Sequence, residues 1–239
     1  MSKIMGRETE QKTLELAYRS KQAEFIALYG RRRVGKTYLI RNNFSNKTDA
    51  IFFYATGLKN GTLIEQIANF TDEIGEAFLY SGARLEIRKN WRDTFKRLTD
   101  NIKSVTSDKK IIVFLDEFPW MVTHNSRLLQ TLEYYWNHHW SRDPRIKPII
   151  FGSSSGWILK NIVNNKGGLY NRVTRRIYLD PFNLCKSKEY LNHIKVKLNN
   201  QQITHLYMIL GGIPFYLSQI EPGWSANQAI EPSKKAVSY

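Results

Sequence analysis

The chain has 239 residues, and its 36 lysine and arginine side chains against 21 aspartate and glutamate side chains give a formal net charge of +15. Hydrophobic residues at 42% and aromatic residues at 13% can build a large core, which excludes a disordered protein. No apolar run reaches the ~18 residues of a membrane helix, no secretory signal opens the chain, and its one cysteine excludes an internal disulfide, so we expect a cytoplasmic protein without a membrane partner.

Apolar strand patterns alternate with helical patterns along most of the chain, which predicts a parallel sheet covered on both faces. In chain order the pattern predicts a helix over 8–21, a strand over 25–29, a helix over 36–44, a strand over 51–54, a helix over 88–103 and a strand over 111–115. It then predicts a helix capped by Ser126, a strand over 148–152 and a strand over 176–179.

The character of the chain changes after Pro181. Residues 186–220 have helical spacing and no strand pattern, whereas 221–239 combine two prolines, a glycine and little periodicity. We therefore predict a core over 1–181, a helical lid over 182–220, and an irregular or truncated tail over 221–239.

The segment that follows the first predicted strand, GRRRVGKT, matches the phosphate-binding loop pattern, in which two glycines are followed by lysine and serine or threonine. Glycines let backbone N–H groups surround a phosphate chain, and the following helix adds its positive dipole end. The lysine is expected to reach the β- and γ-phosphates of ATP, and the threonine hydroxyl is expected to hold Mg²⁺. The predicted nucleotide contacts are Gly30, Arg31, Arg32, Arg33, Val34, Gly35, Lys36, Thr37 and Tyr38.

A second motif follows the strand over 111–115, which runs directly into Asp116 and Glu117. Both carboxylates are then expected at the carboxyl edge of the sheet, where open α/β folds bind their ligands. We predict that Asp116 holds Mg²⁺ and that Glu117 activates the attacking water.

The strand over 148–152 ends in a run of serines, which would be delivered to the same edge. Ser153 or Ser154 is expected to contact the γ-phosphate or the attacking water. The alternative is that Ser155 only caps the helix that follows.

Seven ordered motifs resemble the archaeal-type ATPase family of prokaryotes, a branch of the AAA+/STAND P-loop ATPases. They are Gly6-Arg7-Glu8, the GRRRVGKT loop, Leu115-Asp116-Glu117-Phe118, Phe151-Gly152-Ser153-Ser154, Leu169-Tyr170-Asn171-Arg172, Leu179-Asp180-Pro181-Phe182 and the segment Gly211 to Leu217. The resemblance implies a RecA-like P-loop core followed by a small α-helical lid, over residues 4–220.

The resemblance also implies roles for residues outside the phosphate loop. Arg7 would lie near the adenine, and Gly212 and Pro214 would lie against the base. Arg172 would sense the γ-phosphate from within the chain or from a neighbouring copy, although Asn171 replaces the usual glycine before it.

The leading hypothesis is a Mg²⁺-dependent ATPase whose turnover drives a conformational change, with Glu117, Lys36 and Arg172 as catalytic residues. A homo-oligomer is a possible assembly. The runner-up is a nucleotide-dependent switch or nucleic-acid-associated module with little turnover, because residues 121–239 hold 15 basic and 6 acidic side chains. A small-molecule kinase fits less well, because no acceptor-binding motif is found.

Overall fold

The computed structural model describes residues 4–79, 84–106, 108–164 and 166–230. Its centre is a five-stranded, wholly parallel sheet with the strand order β2-β3-β4-β1-β5, which confirms the predicted α/β fold. The strands are β1 (Ile26–Gly30), β2 (Ala50–Thr56), β3 (Lys110–Asp116), β4 (Ile146–Phe151) and β5 (Arg175–Leu179). Each predicted strand is therefore present, displaced by at most two residues at an end.

Helices connect and cover the strands. Those before the last strand are α1 (Glu8–Arg19), α2 (Lys36–Phe44), α3 (Leu63–Phe78), α4 (Trp91–Ser104), α5 (Phe118–Met121), α6 (Leu128–His138) and α7 (Ser155–Ile158). A short π-helical turn, Leu159–Val163, continues α7. The sequence analysis did not predict α3, whose N-terminus carries a complete capping box between Thr62 and Glu65.

The sheet separates two hydrophobic clusters because successive side chains of a strand point to opposite faces. On β3, Ile111, Val113 and Leu115 join the cluster that α3, α4 and α6 cover. Ile112 and Phe114 join the opposite cluster, which α1 and α2 cover. The near-continuous apolar run of β3 is thus explained by burial on both faces.

A third cluster lies in the helical segment that follows the sheet, among α8 (Leu184–His193), α9 (Asn200–Leu210), α10 (Pro214–Leu217) and α11 (Ala226–Ile230). Leu206 is its fully buried centre. The segment predicted to be irregular contains α11, and Ala226 packs into the same cluster. Residues 231–239 of that segment lie outside the described residues.

The start of α6 differs from the prediction. The residue at the N-cap is Arg127, with a left-handed φ of 54°, rather than Ser126. The Ser126 side chain is buried, and its hydroxyl has no hydrogen-bond partner among the described residues. Across the described ranges, no helix combines the length and apolar character that a membrane crossing requires.

Candidate functional site

The strand order places three loops side by side at the carboxyl edge of the sheet. Because β4 lies between β1 and β3, the serines after β4 stand between the phosphate loop and the Asp116–Glu117 pair. All five strands run in the same direction, so the loops that follow them leave from one edge. Parallel pairing therefore brings together residues that are up to 125 positions apart, as Gly30 and Ser155 are.

The phosphate loop begins and ends on glycines that no other residue could easily replace. Gly30 has a φ of 146°, and a Cβ there would collide with the Leu179 carbonyl oxygen. Gly35 has a φ of 90° and forms the N-cap of α2. No described side chain caps α2, so its first N–H groups are free to bind an anion.

Lys36 is folded back into the loop. Its side chain is buried, and its ammonium donates hydrogen bonds to the carbonyl oxygens of Gly30, at 2.8 Å, and of Arg31. Burial lowers the pKa of Lys36 to about 8, against the raising effect of Glu117 and Asp116. The ammonium is therefore held by carbonyl groups of the loop itself, and its contact with the β- and γ-phosphates stays a prediction.

A donor set suited to a magnesium ion is assembled around Asp116. Its Oδ2 accepts hydrogen bonds from Thr37 Oγ1, at 2.8 Å, and from the Tyr54 hydroxyl, at 3.2 Å. Its Oδ1 is buried and has no hydrogen-bond partner among the described residues. Burial raises the pKa of Asp116. A hydroxyl beside an unpartnered carboxylate oxygen fits the hard oxygen ligands that Mg²⁺ prefers.

Glu117 is held by one of the serines. Its backbone is left-handed, with φ 43° and ψ 44°, and its Oε2 accepts hydrogen bonds from Ser153 N and Ser153 Oγ, both at 2.9 Å. Ser155 makes a different contact: its Oγ accepts a hydrogen bond from Gly30 N at 3.0 Å. The alternative that Ser155 caps the next helix is wrong: Ser154 is at the N-cap, without a side-chain bond.

The N-terminal segment contacts both the loop and the helical segment. Arg7 is buried, and its Nη2 donates to the Val34 carbonyl oxygen at 3.0 Å. The same guanidinium lies 4.7 Å from the centre of the Phe182 ring. Burial lowers the pKa of Arg7, although the neighbouring Glu10, at 3.5 Å, opposes that shift. The structure thus places Arg7 beside Val34 of the phosphate loop, and its position near the adenine stays a prediction.

Arg33 joins the loop to the helical segment from the other side. Its Nη1 donates to the Tyr216 hydroxyl at 2.9 Å, and its guanidinium lies 4.8 Å from the centre of the Phe215 ring. Phe215 N in turn donates to the Arg33 carbonyl oxygen at 3.3 Å. These contacts bring the start of α10, and with it Pro214, to the phosphate loop. Arg31, Arg32 and Tyr38 are exposed at the loop.

Arg172 is not brought to this site. Thr174 N donates to the Phe25 carbonyl oxygen at 2.8 Å, and Arg175 is in register with Ile26, so this part of the chain lies at the amino end of β1. The phosphate loop leaves the opposite end, roughly 15 Å further along at ~3.3 Å per residue. Among the described hydrogen bonds and ion pairs, none joins Arg172 to the phosphate loop of its own chain.

Sequence reasoning missed the contributions of Tyr54 and of Ser155 to this site. Neither residue belongs to a recognisable motif. Tyr54 reaches Asp116 because β2 pairs with β3, with Thr56 in register with Asp116. Only the strand order, which the sequence analysis left open, could have indicated the Tyr54 contact.

Comparison with known proteins agrees with the fold described above. An uncharacterised protein of Methanocaldococcus jannaschii is 26% identical over 222 residues, which are 92% of this chain and 45% of that protein. A Walker-type ATPase of Pyrococcus abyssi has a TM-score of 0.63 at 22% identity, over 90% of this chain and 65% of its own. The ORC2 protein of Aeropyrum pernix, solved with ADPNP and ADP, has a TM-score of 0.62 at 17% identity, over 91% of this chain and 62% of its own.

The chain therefore spans less than half of its curated relative and less than two thirds of either solved structure. The family model of an ATPase domain predominantly from Archaea matches residues 4–220. Because that match covers most of the chain and includes every loop of the site described above, the chain belongs to this family of archaeal ATPase domains.

Proposed function

We propose that the protein binds ATP together with Mg²⁺ and hydrolyses the γ-phosphate. The observation that carries this proposal is the Ser153–Glu117 contact beside the Thr37–Asp116 pair, which aligns a base and a metal-binding carboxylate at the edge that holds Lys36. A glutamate next to a metal-binding aspartate suits the activation of water.

The residues of this site have separate roles in the proposed reaction. Lys36 and the N–H groups at the start of α2 bind the phosphates, and Thr37 and Asp116 hold the metal. Bound Mg²⁺ supplies charge neutralisation of the phosphate oxygens. Glu117 orients water and accepts its proton, with its carboxylate fixed by Ser153.

We further propose that the nucleotide state is transmitted to the helical segment over 182–220, and that the protein acts as an AAA+/STAND type switch in the cytoplasm. The contacts of Arg33 with Phe215 and Tyr216 support this coupling, because a loop that binds phosphates is joined directly to α10. Arg172 would then serve a neighbouring copy in a homo-oligomer, since it lies at the far edge of its own sheet.

Two substitutions test the ATPase. Lys36→Ala should lose ATP binding and turnover, because the phosphates lose their ammonium. Glu117→Gln should bind ATP within about twofold of the parent and lose 10²-fold or more in turnover, because an amide cannot accept the proton. Fluorescent-nucleotide titration and phosphate release measure the two properties. Equal loss of binding and turnover in the glutamine variant would make Glu117 a structural residue.

Binding to nucleic acid is a second candidate. Arg172, Arg176, Lys195 and Lys197 are exposed and form no ion pair with any described residue. The affinity for a DNA or RNA duplex should then fall steeply with salt, because phosphate contacts release counterions. Fluorescence anisotropy at 50 and 200 mM salt measures this slope, and the absence of salt-sensitive binding would reject the candidate.

A further inference from the structure

A tyrosine outside every motif of the site meets the Asp116 carboxylate from the edge strand β2. Tyr54 is in register with Phe114 of β3, two residues before Asp116. The side chains of Phe114 and Asp116 point to the same face, so Tyr54 and Asp116 are diagonal neighbours. Diagonal neighbours on paired strands lie roughly 7–8 Å apart, within the reach of a long side chain but not of serine or threonine. The Tyr54 hydroxyl crosses this gap and donates to Asp116 Oδ2 at 3.2 Å.

The Tyr54 ring is held on several sides, which fixes the direction of its hydroxyl. The ring is stacked on that of Phe114, with 5.4 Å between the centres. The Phe52 ring lies parallel to it, with 6.3 Å between the centres. The guanidinium of Arg41 lies over the Tyr54 ring, 5.3 Å from its centre. The position of the hydroxyl is therefore set by packing and not by the Asp116 contact alone.

Two hydroxyls from different elements converge on one oxygen of Asp116. Thr37, on α2, donates to Oδ2 at 2.8 Å, and Tyr54 donates to the same atom from β2. Asp116 is buried, and within the described ranges it forms no ion pair, so neutral donors determine how its carboxylate is oriented.

The two donors differ in their relation to the nucleotide. Thr37 belongs to the phosphate loop and is itself a proposed metal ligand, so its hydroxyl has to serve the metal as well as Asp116. Tyr54 is outside that loop, and the contacts that hold its ring are with β2, β3 and Arg41. Its hydrogen bond can therefore orient the carboxylate whether or not a nucleotide is bound.

We propose that Tyr54 is a positioning residue of the metal site, whose hydroxyl holds the Asp116 carboxylate in the orientation that binds Mg²⁺ with the nucleotide. The inference rests on the proposed binding of ATP together with Mg²⁺. Groups that orient a metal ligand typically contribute 10–100-fold to metal affinity or activity. The loss of the Tyr54 hydroxyl should therefore weaken the contribution of the metal to binding and leave the phosphate contacts of the loop intact.

The test compares nucleotide binding with and without the metal in the full chain. Tyr54→Phe removes the hydroxyl and keeps the ring. A fluorescent non-hydrolysable ATP analogue is titrated in excess Mg²⁺ and in EDTA, and the ratio of the two Kd values measures the contribution of the metal. In Tyr54→Phe this ratio should fall at least about fivefold, with the Kd in EDTA within about twofold of the parent.

Turnover gives a second measurement of the same role. In phosphate release, Tyr54→Phe should raise KM for the Mg²⁺ complex of ATP at least about fivefold and leave kcat within about threefold, because the hydroxyl does not reach Glu117 in the described contacts. Tyr178→Phe is the matched control, since it removes the hydroxyl of an exposed tyrosine on β5. Its Kd ratio and KM should both match those of the parent.

The outcomes separate this inference from the proposed function. A parent that binds the analogue equally well in Mg²⁺ and in EDTA would overturn both proposals. A metal-dependent parent with an unchanged Kd ratio in Tyr54→Phe would overturn the role of Tyr54 alone. Equal weakening of Tyr54→Phe in Mg²⁺ and in EDTA would make Tyr54 a structural residue, and an equal fall of the ratio in Tyr178→Phe would also reject the proposal.

Discussion

Ser153 offers both of its donors, the backbone N–H and the hydroxyl, to one oxygen of Glu117. Glu117 itself follows β3 with a left-handed backbone, a conformation that a non-glycine residue adopts at some cost in free energy. Ser153 follows β4, the strand next to β3, and its two hydrogen bonds fix the direction of the Glu117 carboxylate. In this arrangement Ser153 is a positioning residue rather than a catalytic one.

Removal of the Ser153 hydroxyl should lower turnover more than affinity. We expect Ser153→Ala to reduce kcat roughly tenfold, because a correctly placed general base contributes about 10²–10⁴-fold in rate, and to leave the Kd for ATP within twofold. Single-turnover phosphate release and nucleotide titration separate the two effects.

Two further variants of the serine run act as controls. Ser153→Thr keeps a hydroxyl and should recover most of the rate. Ser154→Ala should leave the position of the Glu117 carboxylate unchanged, since the described contacts of that carboxylate are with Ser153. A parental kcat in Ser153→Ala would show that the backbone N–H alone positions Glu117.

The pKa of Lys36, about 8 in the free protein, predicts a pH dependence of ATP affinity. Phosphates bind the protonated ammonium, so its deprotonation in the free protein opposes binding. Affinity should therefore be fully present below pH 7 and should fall as the pH rises through 8, by about tenfold between pH 7 and pH 9. Isothermal titration at several pH values measures this change.

Lys36→Arg provides the control, because a guanidinium stays charged over this range. Its affinity should be lower at pH 7 but nearly constant to pH 9. The same slope in both proteins would show that another group titrates, and Lys36 would then not control the pH dependence.

At the scale of elements, the loop between β1 and α2 contacts α10 through a single side chain. Arg33 donates to the Tyr216 hydroxyl and lies over the Phe215 ring, and it also has a left-handed φ of 65°. Arg31 and Arg32 precede it in the loop, and all three arginines are exposed. The run of three arginines is therefore not uniform, because only the third is shown to contact the helical segment.

Arg33→Ala should loosen α10. An exposed cation–π contact contributes roughly 0.5–1 kcal/mol and a hydrogen bond a similar amount, so amides of residues 213–218 should exchange about fivefold faster. Hydrogen-exchange mass spectrometry measures this rate, and Arg32→Ala in the same loop is the matched control. Identical exchange in the two variants would mean that the backbone bond from Phe215 alone joins the two parts.

The elements also show which features a sequence can predict. The phosphate loop and the Asp116–Glu117 pair were predictable, because each depends on the residues next to one strand. The helix α3 could have been found from Ile67, Phe70 and Ile74 at helical spacing behind its capping box. The sequence could not predict the contacts Tyr54–Asp116 and Ser155–Gly30, because these contacts depend on which strands are neighbours in the sheet.

At the scale of the whole molecule, the basic side chains of the protein have several separate structural and functional roles. Lys36 and Arg7 are buried at the site, and Arg175 pairs with Glu24 at 3.3 Å. Lys186 donates to the Gly6 carbonyl oxygen at 2.9 Å. Part of the basic second half thus stabilises the chain itself, which reduces the surplus available for nucleic acid. Arg172 remains exposed at the amino edge of the sheet, where a neighbouring copy could use it.

If Arg172 completes the site of a neighbouring copy, two inactive variants should restore each other. Lys36→Ala keeps Arg172, and Arg172→Ala keeps the phosphate loop, so an assembly of both contains some complete sites. An equimolar mixture should recover about one quarter of the parental phosphate-release rate in a random dimer or ring, while each variant alone stays inactive. Specific activity of the parent should also rise with protein concentration. Arg176→Ala, on the same strand region and exposed, keeps both Arg172 and the phosphate loop and should be active without mixing with a second variant. Full activity of Arg172→Ala, or a mixture that stays inactive, would show that this arginine does not act between copies.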